Sequence, residues 1–179
     1  MSKKQKHLVN LILTAILAAV SVVLGRFFSY NVQNFSIGFA FLPVMVCGMF
    51  CGVWWGGICG ALADFIGAML FPFGTYFPGF TAVAFLMGAL YGVVGLADRR
   101  LKGNFKVILI TIAAIFTTEF VGSWLLNSLW LTIMYGMPYG AELALRLPEA
   151  AVFFAVKIAA ALLIRSLILP ILKKSFKRN

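Results

Sequence analysis

The chain has 179 residues, 63% of them hydrophobic, and a mean hydropathy of +1.01. A soluble core needs far less apolar sequence, so this composition excludes a soluble protein and predicts an integral membrane protein. The net charge of +10 is concentrated in three basic clusters, at 3–6, 99–106 and 173–178. Because Lys and Arg are retained on the cytoplasmic side, the clusters indicate orientation and contact with lipid headgroups, and no nucleic-acid partner is expected.

Apolar segments between the clusters predict the helices. Four of them can each cross a hydrocarbon core of about 30 Å, and 36–71 can form two shorter helices with a turn near 51–57. Only that division puts all three basic clusters on one side of the bilayer. We therefore predict one domain over 1–179, an all-α integral membrane bundle of six transmembrane helices with both termini cytoplasmic. The predicted spans are about 8–28, 36–53, 55–71, 79–97, 107–135 and 148–172, the last beginning at Pro148.

A cleaved signal peptide over 1–28 is the alternative for the first segment. Its apolar run is too long for such a peptide, and cleavage would leave an odd number of spans, so we reject it.

The sequence lacks the usual residue sets of enzymes. His7 is the only histidine, and Cys47, Cys51 and Cys59 are expected to be free thiols without a metal. No G-x-x-x-x-G-K-[ST] motif is present, so ATP hydrolysis through a P-loop is excluded. We predict no cofactor and no enzymatic activity of the chain on its own.

Polar residues inside the spans each cost about 2.5–3.5 kcal/mol at mid-depth and therefore require a role. At 1.5 Å per residue, Asp64, Asn127 and Lys157 share a layer about 10–13 Å from the outer helix ends. Glu119 is deeper, at about 24 Å, and is expected to serve helix packing or to face a partner. The layer is either a structural Asp64–Lys157 pair or the floor of an outward-facing ligand cavity.

Residues near the span ends also have two interpretations. Arg26 either extends to the interface or provides a cation at the cavity mouth for an anionic ligand. Arg165 is assigned to the interface alone. Trp124 fits an interfacial aromatic belt and could also stack on a flat ring.

Small residues recur every four positions in two places. Ala15 and Ala19 share one face in the cytoplasmic half of the first helix, where a partner subunit could dock. The other stripe is expected to serve internal packing and comprises Gly48, Gly52, Gly56 and Gly60.

The loop after the third span reads F-P-F-G-T-Y-F-P-G-F-T over 71–81, which predicts a stiff, structured cap. Together with F-A-F-L-P at 39–43 and G-A-L-A-D at 60–64, it resembles the folate-specific S components of energy-coupling factor (ECF) vitamin transporters. The resemblance covers about 30–165. The Ala15/Ala19 pair is similar to the A-x-x-x-A motif by which S components engage their transport partner.

The resemblance implies a bacterial, multi-pass cell-membrane subunit that captures folate or a related pterin from outside. It would associate with a transmembrane scaffold subunit and two ATPase subunits, which supply the energy. Two alternatives stay open: an S component for another vitamin such as thiamine, and a membrane scaffold without a transport role.

Folate combines a flat heterocycle, an aryl ring and a glutamate with two carboxylates, and the candidate contacts follow from that chemistry. Aromatic side chains suit the rings, Asp64 or Asn127 suits the pterin edge, and Arg26 or Lys157 suits the anionic end. The candidate ligand-binding residues are Arg26, Asp64, Tyr76, Phe77, Trp124, Asn127 and Lys157.

Overall fold

Six helices make up most of the described chain, because a bilayer offers no water to satisfy unpaired backbone groups. The computed structural model describes residues 3–32, 35–72, 74–101 and 103–177. Five helices are long and apolar enough to cross a membrane, and α2 is a shorter apolar helix, which confirms the predicted all-helical, six-helix fold. They are α1 (Lys3–Phe27), α2 (Phe41–Cys51), α3 (Val53–Leu70), α4 (Pro78–Arg100), α5 (Asn104–Tyr135) and α6 (Tyr139–Leu163, continuing through Ile164–Ile168 and Leu169–Lys177).

The last two helices each contain a π-helical segment, Thr117–Leu126 in α5 and Ile164–Ile168 in α6. Helix α6 begins at Tyr139, with Pro148 inside it, so the prediction of Pro148 as its first residue was wrong. Most of the predicted outer loop 136–147 is therefore helix. The change moves every residue of α6 further from the outer end of its helix than the sequence indicated.

Helix α2 has only 11 residues, a length of about 16 Å. It ends at Gly52, whose φ of +108° suits glycine and breaks the helix before α3 begins at Val53. Helix α3 has 18 residues and runs back from the same break. Measured from the break at Gly52, α3 therefore extends well past the first turn of α2, and space remains beyond that turn.

A β-hairpin connects α1 to α2 at that end of the bundle, which lies away from both termini and is here called the outer end. Its strands are Tyr30–Val32 and Phe35–Ile37, antiparallel, with Tyr30 opposite Ile37.

Helices α3 and α4 approach each other through glycines. A Cβ added to Gly56 would collide with the carbonyl oxygen of Gly88, and one added to Gly88 would collide with that of Gly56. Gly48 and Gly60 meet α4 in the same way. Internal packing is thus confirmed for three members of the glycine stripe, whereas Gly52 forms the helix break and has no atom within 4 Å of an added Cβ.

Two arginines bind protein groups near the inner end, where the termini lie. Arg99 donates to the carbonyl oxygens of Met49 (2.9 Å) and Phe50, which satisfies the last turn of α2. Arg165 forms an ion pair with Asp98 at 2.7 Å and donates to Asn104 at 2.8 Å. Its assignment to the interface alone was wrong, because a carboxylate of α4 lies within its reach.

The orientation of the bundle stays a prediction, with both termini and the α4–α5 connection expected in the cytoplasm. Accessible cysteines test it after Cys47, Cys51 and Cys59 are replaced. Arg100→Cys lies at the inner end and Gly140→Cys at the outer end, and both positions are exposed. In intact cells, a membrane-impermeant maleimide should label only the Gly140→Cys protein. Labelling of the Arg100→Cys protein instead would show that the bundle has the opposite orientation.

Candidate functional site

Two adjoining cavities lie beyond the first turn of α2, and Arg26 and Asp64 line both. The inner cavity, about 330 Å³, extends from these residues to Tyr91 and Lys157. The outer cavity, about 230 Å³, extends from them to the loop before α4 and to Tyr135. Together they provide a space of the size that small-molecule ligands occupy in proteins.

Small residues create the inner cavity. Gly60 and Ala63 of α3 and Ala84 of α4 line it, and their short side chains leave the space between helices open. The first turn of α2 is held against α1 by a hydrogen bond of 2.6 Å from Ser21 Oγ to the carbonyl oxygen of Ala40. The short helix is thus fixed where it forms one wall.

A hydrogen-bonded chain ties the loop before α4 to the boundary between the cavities. Thr81 donates to Asp64 Oδ2 at 2.6 Å, and its hydroxyl shares a hydrogen bond of 3.1 Å with Tyr76. The Arg26 guanidinium lies against Gly67, where a Cβ would come within 3.1 Å of it, and interacts electrostatically with Asp64. An acid and a base thus face one another where a ligand would pass from one cavity to the other.

Aromatic side chains surround the outer cavity. Phe77 lies 5.3 Å from Trp130, centroid to centroid, and Tyr76 lies 5.8 Å from Phe65. Phe77, Tyr76 and Tyr135 line the cavity itself. The sequence analysis did not identify Trp130 or Tyr135 as site residues, because a position near the outer end fits an interfacial belt equally well.

Lys157 pairs with Glu119, so the first of the two interpretations of the polar layer, a structural Asp64–Lys157 pair, was wrong. Asp64 and Lys157 both line the inner cavity, as the second interpretation requires. The ammonium binds Glu119 Oε1, and both residues are buried, with 7% and 1% of their surfaces exposed. Lys157 Nζ also lies 5.1 Å from the ring centroid of Phe41 and 5.6 Å from that of Phe153. Because α6 begins at Tyr139, Lys157 is about 27 Å along it, close to the depth predicted for Glu119.

Tyr91 is a site residue that the sequence analysis missed. It lines the inner cavity and is 2% exposed, and its hydroxyl forms no hydrogen bond that meets normal geometry within the described residues. It interacts electrostatically with Lys157 and Glu119. A single tyrosine in an apolar helix carries no sequence signal that separates it from the core.

Five of the seven predicted ligand-binding residues line the cavities, and Trp124 and Asn127 are not among the lining residues. The Trp124 indole donates to the carbonyl oxygen of Leu143 at 2.8 Å and thereby joins α5 to α6. Asn127 follows directly after the π-helical segment of α5. Its depth was counted along the regular helix Asn127–Tyr135, and a depth alone does not determine which face of the helix a residue occupies.

The predicted partner face of α1 is exposed. Ala15 and Ala19 point away from the bundle, while Ala18 between them is buried. Exposed Ile12 and Ile16 flank the two alanines. This face is apolar and is available to lipid or to another membrane helix.

Residues 9–174 match the family model described as "ECF transporter, substrate-specific component". The chain belongs to this family. Its S components are transport subunits of bacterial membranes, which confirms the predictions of a multi-pass membrane protein and of a transport subunit with no enzymatic role.

Individual relatives agree with the family assignment. The chain is 35% identical over 146 residues to "Folate transporter FolT" of Clostridium novyi (strain NT), covering 82% of this chain and 81% of that protein. A second "Folate transporter FolT", from Leuconostoc mesenteroides subsp. mesenteroides, is 27% identical over 124 residues, or 69% and 64% of the two chains. The solved "Crystal structure of FolT bound with folic acid" superposes with a TM-score of 0.74 at 35% identity, covering 86% of this S component and 90% of that chain.

The bridge from Thr81 to Asp64 should stabilise the S component. Thr81→Val keeps the shape of the side chain but removes the hydroxyl, and a hydrogen bond to a charged group contributes about 1.5–3 kcal/mol. We expect a lower midpoint of thermal unfolding in detergent for Thr81→Val. Thr81→Ser, which retains the hydroxyl, should lose much less. Equal midpoints for Thr81→Val and the unaltered protein would show that the bridge contributes nothing.

Proposed function

We propose that this protein is the substrate-binding S component of an ECF importer and captures folate, or a related pterin, at the outer side for ATP-driven uptake. The arrangement of the two cavities around Arg26 and Asp64 carries the proposal. The likeness to a FolT bound with folic acid, over 86% of the chain, supports the ligand class.

The chemistry of folate matches the residues around the cavities. The pterin ring has N–H donors, for which the Asp64 carboxylate is an acceptor, and the glutamate has carboxylates, for which the Arg26 guanidinium is a donor. Tyr76 and Phe77 provide aromatic surfaces for the rings. The support for direct contacts does not extend to Trp124 and Asn127, which lie outside the lining residues.

The alternatives fit the cavities less well. Thiamine is a cation and would have to lie near the Arg26 guanidinium, which lines both cavities, whereas an anionic ligand gains a partner there. A membrane scaffold without a ligand has no need of a cavity of about 330 Å³ lined by buried polar groups.

The energy for uptake would come from partners, since the chain has no P-loop motif. The exposed Ala15 and Ala19 face of α1 would dock on the transmembrane scaffold subunit, which in turn joins two ATPase subunits. Short side chains at this spacing permit the close helix contact that membrane association depends on.

Titration of the purified protein with folate, and with thiamine and riboflavin as controls, tests the ligand. Folate should bind and the other two should not. Arg26→Gln, which removes the charge but keeps a polar N–H donor, should raise the Kd for folate about thirtyfold or more, because a carboxylate loses its partner in a partly buried site. Arg165→Gln, at the inner end, should leave the Kd unchanged.

Two results would each contradict one part of this proposal, the ligand or the role of Arg26. Binding of thiamine in place of folate would overturn the ligand. Unchanged folate binding by Arg26→Gln would remove Arg26 from the site and leave the ligand class standing.

The docking face can be separated from the ligand site. Ala19→Trp should abolish co-purification with the scaffold subunit and uptake by cells, because the indole prevents close helix contact. Its Kd for folate should stay within about threefold of the original. Val152→Trp, on an exposed face of α6, is the matched control and should retain both. Loss of folate binding in a folded Ala19→Trp protein would assign Ala19 to internal packing.

A further inference from the structure

The inner cavity ends at a base whose charge is already compensated by the protein. Lys157 lines the cavity, whereas Glu119 lies behind it, outside the lining residues. The faces of Phe41 and Phe153 cover other sides of the ammonium. The inner end therefore presents a neutral pair to a ligand, although one member of the pair is a lysine.

This compensation makes the inner end unsuitable for an anion. A ligand carboxylate placed beside Lys157 would lie close to the buried Glu119 charge or would have to displace it, and like charges repel strongly where water is excluded. An uncharged ring meets no such repulsion. The Lys157 ammonium has three N–H donors, of which Glu119 occupies one, and the buried Tyr91 hydroxyl adds a polar group beside it.

The boundary between the cavities has the opposite character. Arg26 is only partly buried and faces the outer cavity as well as the inner one. A carboxylate there keeps access to the outer end of the bundle, so that less of its hydration is lost.

We propose that Glu119 determines the orientation of the ligand. By neutralising Lys157, it reserves the inner cavity for the uncharged heterocycle and directs the carboxylates towards Arg26 and the outer cavity. Glu119 is a positioning residue, since it acts through Lys157 and does not line the cavity. The inference rests on the proposed folate function and specifies which half of the ligand enters first.

The backbone around Glu119 is consistent with a specialised role. Glu119 belongs to the π-helical segment Thr117–Leu126, and such segments occur frequently at functional sites. Its neighbour Thr118 is buried and donates to the carbonyl oxygen of Ile115, which satisfies a local backbone group. Three helices, α4, α5 and α6, thus contribute Tyr91, Glu119 and Lys157 to one buried cluster.

Binding of ligand halves tests the orientation. The probes are folate, 6-methylpterin as the uncharged ring, and p-aminobenzoylglutamate as the anionic tail. Glu119→Gln leaves Lys157 uncompensated, so the affinity ratio of tail to ring should rise at least about tenfold over that of the unaltered protein. Asp98→Asn is the control. It removes the acid of the Asp98–Arg165 ion pair at the inner end of the bundle, away from the cavities, and should leave the ratio unchanged.

The neutral double variant Glu119→Gln/Lys157→Gln keeps the test decisive if Glu119→Gln fails to fold. Its affinity ratio of tail to ring should stay within about threefold of that of the unaltered protein, because neither charge contacts a ligand carboxylate, even if the loss of the Lys157 N–H donors weakens binding of the ring. A folded double variant in which the tail fragment loses affinity tenfold or more relative to 6-methylpterin would overturn the proposal, since Lys157 would then bind the carboxylates.

Two further results have separate meanings. A folded Glu119→Gln protein with an unchanged tail-to-ring ratio would limit Glu119 to a structural role and overturn the proposal. Failure of the unaltered protein to bind folate at all would overturn the proposed function, which distinguishes it from an error about orientation.

Discussion

The length of α2 is the constraint on which the site depends. Eleven residues span about half of a hydrocarbon core of about 30 Å, so this helix cannot fill the bundle from end to end. Arg99 fixes its last turn, Gly52 ends it, and Ser21 holds its first turn against α1. The unfilled length leaves room for the cavities, and the loop before α4 lines the outer one.

Inside the bundle, each of two basic side chains lies near an acidic side chain of another helix. Arg26 of α1 faces Asp64 of α3, and Lys157 of α6 pairs with Glu119 of α5. Lys157 and Glu119 form a buried ion pair, which contributes little net stability compared with apolar packing, but removal of one partner is strongly destabilising. This pair therefore constrains how α5 and α6 are placed relative to one another. Arg26 and Asp64 are only partly buried and line both cavities.

The sequence predicted the parts of the fold that depend on composition and short-range pattern. Six helices and the contacts of Gly56 follow from apolar length and spacing. Arg26 and Asp64 line both cavities, and the helices that carry them have nearly the predicted outer ends. The pairing of Lys157 could not be predicted, since a helix start nine residues early shifts its depth by about 13 Å.

The π-helical segment of α5 is a feature that the sequence does not indicate. Estimates of helical depth and face assume 3.6 residues per turn, which does not hold across a π segment. The segment contains Glu119, the residue that compensates Lys157. Asn127 lies between the segment and the outer end of α5, and its depth did not determine whether it faces the cavities. No apolar periodicity distinguishes ten π-helical residues from an ordinary helix.

Helix α1 connects the two surfaces that an S component needs. Ala15 and Ala19 are exposed on its inner half, and Arg26, seven residues after Ala19, lines the cavities. Seven residues make almost two complete turns, so Ala19 and Arg26 lie on nearly the same side of the helix and about 10 Å apart along it. Small side chains would suit the part of this helix that docks on a partner helix, and a long cationic one would suit the part that meets a ligand. One rigid element would then place ligand recognition directly beside the surface through which energy is supplied.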